Sequence, residues 1–137
     1  MVFASRIRAE WSRAMGNPGA ALEGFARNLT TSMIKLGDFA YYDVAGITVA
    51  LEQLGQSEAA LEIGALVEQA ATDWGTTPDG FSFFLGGLAA SMERARSSLP
   101  AETARAAEAR GRGVSSGART AYALAVAREV LAARGVG

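Results

Sequence analysis

The sequence predicts an all-α fold in which antiparallel helical hairpins form a compact array or bundle of six to seven helices. Three observations lead there. Apolar residues recur at offsets of three and four along most of the chain, the period of a helix with a buried face. Ala, Leu, Glu and Arg, all strong helix formers, are abundant. Prolines number only three, and the Gly and Pro positions fall where helices stop and restart rather than at strand turns.

Residues 3–15 are the first expected helix, with Phe3, Ile7, Trp11 and Ala14 on one side and Arg6, Glu10 and Arg13 on another. Gly16-Asn17-Pro18 then stops and restarts the chain. Gly closes, Asn caps, and Pro fits the first helical position, where its missing N–H is not needed. The next helix runs from Pro18 to about Leu36 and buries Ala21, Leu22, Phe25, Leu29 and Met33.

The stretch 37–74 organises the rest. Gly37 closes the preceding helix and Asp38 caps the following one. Val44, Ile47, Leu51 and Leu54 make its stripe, while Phe39, Tyr42, Ala45 and Val49 leave the other side half-apolar. Gly55 ends the helix and Ser57 starts the return, through a turn too short to lead anywhere but back. The returning stripe is Ala60, Ile63, Val67, Ala71 and Trp74, with Glu58, Glu62 and Glu68 away from it.

Beyond Trp74, Thr77 caps and Pro78 opens a helix that carries Phe81, Phe84, Leu85, Leu88 and Met92 through about Ser97. Gly86 and Gly87 in its middle each cost about 1 kcal/mol relative to Ala. A close crossing of another helix backbone is the expected compensation, with a cleft floor or hinge as the alternative. Pro100 opens a short helix holding Glu102 in its first turn and Arg110 in its last, both favourable to the dipole. Residues 111–117 (GRGVSSG) are the expected flexible connector. The last helix, Ala118 to Arg134, offers Tyr122, Val126 and Val130 with Ala121, Ala125 and Leu131, for docking on its own protomer or on a neighbour.

At 137 residues the chain is expected to be a single domain, 1–137. Half of its residues are hydrophobic, which excludes general disorder. It contains neither Cys nor His, so thiolate nucleophiles, disulfides, and the commonest general base and zinc ligand are missing. The first residues lack the apolar run of a signal peptide, and the most apolar window, Phe81 to Met92, is shorter than the roughly 20 residues of a membrane span. A soluble cytoplasmic protein is expected.

Charge is distributed in blocks. Residues 1–35 hold five bases against two acids; 36–79 hold eight acids and no base; 80–137 hold eight Arg against four Glu. One reading is an acidic patch offered to a basic partner or used in end-to-end self-association. The preferred reading sets the acidic hairpin between basic neighbours within one fold.

Two places share a phrase: Gly16 followed by Ala21-Leu22-Glu23, and Gly55 followed by Ala60-Leu61-Glu62. With Phe25 in the first copy and Val44, Ile47 and Leu51 in the second, residues 3–74 resemble the tetratricopeptide repeat. They depart from it in carrying Thr48 at the helix crossing and Gly64 in place of the second-helix aromatic. The resemblance implies a concave surface lined by the first helix of each pair. It would bring Arg6, Glu10 and Arg13 together with Tyr42, Val49, Glu52 and Gln53 as partner-binding residues. The guanidinium forks of Arg6 and Arg13 suit a partner carboxylate, and Tyr42 supplies amphipathic contact area.

No phosphate loop, dinucleotide fingerprint, nucleophile elbow or metal-spaced carboxylate pair occurs, so neither an enzyme nor a cofactor is expected. The expected function is a non-catalytic protein–protein interaction or adaptor module with a protein or peptide partner, and homo-oligomers through the 118–134 helix. One alternative is a helical bundle binding a small apolar ligand among Phe81, Phe83, Phe84, Tyr41 and Trp74. Another is an Arg-rich regulatory nucleic-acid-binding protein using Arg94, Arg96, Arg105, Arg110, Arg112 and Arg119. With a pI near 5.5, nucleic acid is not the expected partner, and a membrane is not either.

Overall fold

In the computed structural model, residues 16–35, 40–73 and 87–134 are described, with backbone alone for 31–35 and 40–42. They form six α-helices and no strand. The helices are α1 (Pro18–Lys35), α2 (Ala40–Gln53), α3 (Ser57–Asp73), α4 (Leu88–Ser97), α5 (Ala101–Arg112) and α6 (Arg119–Ala133), the last preceded by a 3₁₀ turn at Ser116–Ala118.

The helix ends follow the local chemistry of the sequence. Asn17 caps α1, its Oδ1 accepting the Ala20 N–H at 3.1 Å, with Pro18 in the first helical position. At the end of α2, Gly55 has φ +80, the left-handed conformation that a Cβ disfavours. The Gly55 N–H donates to the Glu52 carbonyl at 3.0 Å and the Gln56 N–H to the Leu51 carbonyl at 2.9 Å. This pair of bonds satisfies carbonyls that the helix leaves open and sets the next residue, Ser57, at the start of α3.

One hydrophobic cluster draws on all six helices. Leu22, Phe25 and Leu29 of α1 meet Val44, Ile47 and Leu51 of α2, and Leu61, Ile63 and Leu66 of α3 continue the core. Met92 of α4, Ala107 of α5 and Ala127 of α6 complete it. Val44, Ile47, Leu51, Ala60, Ile63, Val67 and Ala71 of the expected stripes of 37–74 are buried, Leu54 is half-buried, and Trp74 lies outside the described residues. α3 packs on α2, α4, α5 and α6, and α6 also reaches back to α1 and α2. Because α6 contacts the first described helix, the arrangement closes on itself, unlike a linear stack in which each unit touches only its neighbours.

Glycines set how closely the helices approach. A Cβ on Gly46 would lie 2.5 Å from the Phe25 ring, and one on Gly64 would lie 2.7 Å from the Met92 sulfur, so each glycine is a notch for a large side chain. Gly111 is stricter. Its Cβ would lie 1.9 Å from the Glu62 carbonyl oxygen and 3.1 Å from the Leu66 nitrogen. The inner face of α5 is Ala104, Ala107 and Gly111, small residues at helical spacing that let its backbone settle onto α3.

Two expected elements change. The helix expected from Pro78 to about Ser97, with Gly86 and Gly87 at its middle, does not run through Gly87: that residue has φ 89, incompatible with a right-handed helix, and α4 starts at Leu88. Nothing lies within 4 Å of a Cβ on Gly87, Gly86 lies outside the described residues, and a close backbone crossing is found at Gly111. The connector foreseen at 111–117 is shorter, because α5 continues through Gly111 to Arg112, and only 113–115 separate it from the 3₁₀ turn.

Gly111→Ala is expected to lower stability by about 1–3 kcal/mol or more, since the clash is with backbone rather than with a movable side-chain end. Gly117→Ala, where nothing lies within 4 Å, is the control and should change stability by less than about 1 kcal/mol. Urea unfolding followed by circular dichroism measures both.

Candidate functional site

α6 is apolar on two sides. Ala123, Leu124, Ala127 and Leu131 are buried in the protein's own core. A second stripe, Tyr122, Val126 and Val130 with Ala125 and Ala133, lines an open groove of about 640 Å³. These positions share a face by the three- and four-residue spacing of a helix. The opposite wall comes from the start of α3 (Gln56, Glu58, Ala59 and Glu62) and from Arg110 at the end of α5. Glu129 of α6 and Arg134, the residue that caps its C-terminus, are exposed on the rim of the groove.

One end of the groove is fixed by a polar cluster. Arg110 reaches Glu58 at 2.8 Å and Glu62 at 3.1 Å, bridging two carboxylates one helical turn apart on α3. The Tyr122 hydroxyl donates a short hydrogen bond to the other Glu62 oxygen. That bond, helped by partial burial and the Glu62 charge, pushes the Tyr122 phenol up to about 12. Tyr122 is therefore held in its neutral, donating form and tethers α6 to α3.

The same Arg–carboxylate pattern continues along the central helices. Arg94 of α4 donates to Glu52 from both Nε and Nη2, at 3.0 and 2.8 Å, and the Ser91 hydroxyl donates to the same oxygen at 3.0 Å. Arg112 pairs with Glu68 at 3.0 Å, and the buried Arg119 pairs with Asp73 at 2.5 Å. Residues 110 and 112 lie about 100° to either side of Gly111 around the helix. At that close crossing they reach acids on both flanks of α3. The acidic block seen in the sequence is thus matched within the fold: Glu52, Glu58, Glu62, Glu68 and Asp73 all bond C-terminal Arg.

This pairing decides how several expected site residues stand. Glu52, foreseen on a partner surface, is instead largely enclosed and bound to Ser91 and Arg94. Val49 is 4% exposed, so its side chain is not open to a partner. Gln53 is exposed at the end of α2. The Tyr42 backbone lies within α2 while its side chain is outside the described residues, as are Arg6, Glu10 and Arg13. The aromatic set of Phe81, Phe83, Phe84 and Trp74 also lies outside them, as does the Tyr41 side chain.

Of the six Arg expected to serve a nucleic acid, Arg94, Arg96, Arg110, Arg112 and Arg119 are engaged with carboxylates. A phosphate backbone would have to displace those partners. Among the described residues no group of acids is placed to hold a metal ion, and no helix is long and apolar enough to cross a membrane. The groove was only half legible in the sequence. Tyr122, Val126 and Val130 stood out as a stripe, but Arg110 and Glu62 join them only through the packing of α5 on α3.

Stability should depend on pH at both extremes. The folded Tyr122 pKa lies above its ordinary value of 10.0, so the hydrogen bond contributes fully below pH 10 and is lost as pH rises through about 12. Tyr122→Phe should therefore melt with a shallower alkaline decline than the parent, and its phenolate absorbance titration should lack one late-ionising group. Asp73 behaves oppositely. The hydrogen bonds from Arg119 and Gln69 hold its carboxyl below the ordinary 3.8, so its contribution is present above that pH and is lost as pH falls through the lower folded value. Asp73→Asn should flatten the acid limb of the melting profile.

Comparison with protein-family models, with curated proteins and with solved structures yields no match.

Proposed function

We propose that the chain is a non-catalytic protein-recognition module that seats a helical segment of a partner in the groove along α6. The observation that carries this reading is the second apolar stripe of α6. Tyr122, Val126 and Val130 pack against the edge of the core that Ala123, Leu124, Ala127 and Leu131 enter, and their remaining surface lines an open groove. An amphipathic helix laid in a groove makes its contacts through anchors at this spacing. A rigid floor favours such a role, because little order has to be created on binding. Here the floor is pinned by Tyr122 on Glu62 and by Arg110 on Glu58 and Glu62.

The likeness of residues 3–74 to the tetratricopeptide repeat supports a role of the same kind, a helix surface presented to a peptide, and a cytoplasmic setting belongs to the same reading. The charged block of α3 is not the recognition element in this proposal, since its acids already have internal partners.

Val126→Arg and Val130→Arg each place a charge in the groove on a half-exposed face. Each should weaken capture of the partner from a lysate of the source cell by roughly tenfold or more, the effect of a central apolar anchor worth at least about 1.4 kcal/mol. Melting temperatures should stay near that of the parent. Capture that is unchanged by both substitutions, with the fold intact, overturns the assignment of this groove.

A further inference from the structure

We infer that the partner seated on this face is a second copy of the same chain, joined about a two-fold axis along α6. The inference rests on reading the groove as a recognition surface and names its occupant. A two-fold contact brings one patch against itself, so any acid the patch exposes must meet a base that the patch also supplies.

The rim of α6 meets that requirement. Glu129 and Arg134 both line the groove and are both exposed, and neither forms an ion pair among the described residues. The other charges of the groove, Glu58, Glu62 and Arg110, are already bonded to one another. What the face offers a partner is therefore one acid, one base and the apolar strip between and beside them. A uniformly basic peptide would suit Glu129 and oppose Arg134, and an acidic one would do the reverse. A second copy satisfies both.

Two α6 helices running side by side in the same direction about this axis bring Glu129 of each protomer to Arg134 of the partner subunit, because residues five apart flank opposite sides of the apolar strip, with Val130 and Ala133 between the two pairs. Val126 flanks this centre. Tyr122, tied to Glu62, closes the far end of the groove and stays outside the exchange. The inner face of α6 remains in its own core throughout, so the pairing needs no exchange of helices.

Sedimentation equilibrium of the full chain over a micromolar concentration range tests this. The expected result is a reversible dimer with twice the 14.2 kDa chain mass. Glu129→Arg and Arg134→Glu should each raise the dissociation constant by roughly tenfold or more, because each creates two like-charge contacts across the axis. The double variant Glu129→Arg/Arg134→Glu should return it to within about threefold of the parent, the signature of a coupled pair. Circular dichroism melts of all variants should coincide at concentrations where each is monomeric.

A parent chain that stays monomeric throughout overturns the second copy as occupant, while the groove reading then stands or falls with the Val126 and Val130 capture experiment. A dimer indifferent to both charge reversals and to Val126→Arg lies elsewhere and overturns the inference. Single reversals that weaken pairing without rescue in the double variant overturn the reciprocal contact.

Discussion

The approach of α5 to α3 at Gly111, where a missing Cβ lets one backbone rest on the Glu62 carbonyl of the other, governs the placement of the C-terminal half. Helix axes normally stay apart by the size of the side chains between them. Here the interposed residues are Ala104, Ala107 and Gly111, so the helices come close and the long side chains on the flanks meet. Arg110 and Arg112 flank the glycine and reach Glu58, Glu62 and Glu68 on the two sides of the crossing. Steric fit and charge therefore specify the same register.

The ion pairs matter more for arrangement than for gross stability. Most of their Arg side chains are between 40% and 57% exposed, and a surface pair of that kind contributes about 0–1 kcal/mol. Their cooperative effect lies in what they prevent. An α3 carrying Glu58, Glu62, Glu68 and Asp73 without a single base would repel itself and any acidic neighbour. Laid against the Arg-bearing helices, the same row orders them. The acids are thereby engaged within the fold, and the groove face of α6 beside them is a largely apolar strip.

Tyr122 joins these two parts of the molecule. Its hydroxyl binds the same Glu62 whose second oxygen holds Arg110 and whose carbonyl touches Gly111. The residue at the closest helix crossing is thus also the one that anchors the groove wall. Any partner seated along Val126 and Val130 rests on a helix whose position is set by the α3–α5 contact.

The sequence by itself determined the helices and most of their inner faces. Asn17-Pro18 and Gly55 mark helix ends because capping and left-handed closure are local chemistry, and Val44, Ile47, Leu51, Ala60 and Ile63 are buried because a three- and four-residue repeat has one inward side. The same local reasoning misplaced the helix start at Gly87 and the end of α5 at Gly111, since a glycine inside an apolar or a charged run reads alike whether it breaks a helix or admits a neighbour. Tertiary structure alone decided which glycine meets a backbone, which Arg meets which acid, and which face of α6 is left over. Those outcomes depend on contacts such as Glu52–Arg94 and Glu62–Tyr122, between residues far apart along the chain. Periodicity specifies that a helix has an inner side; only the neighbours it packs against specify how many sides become inner.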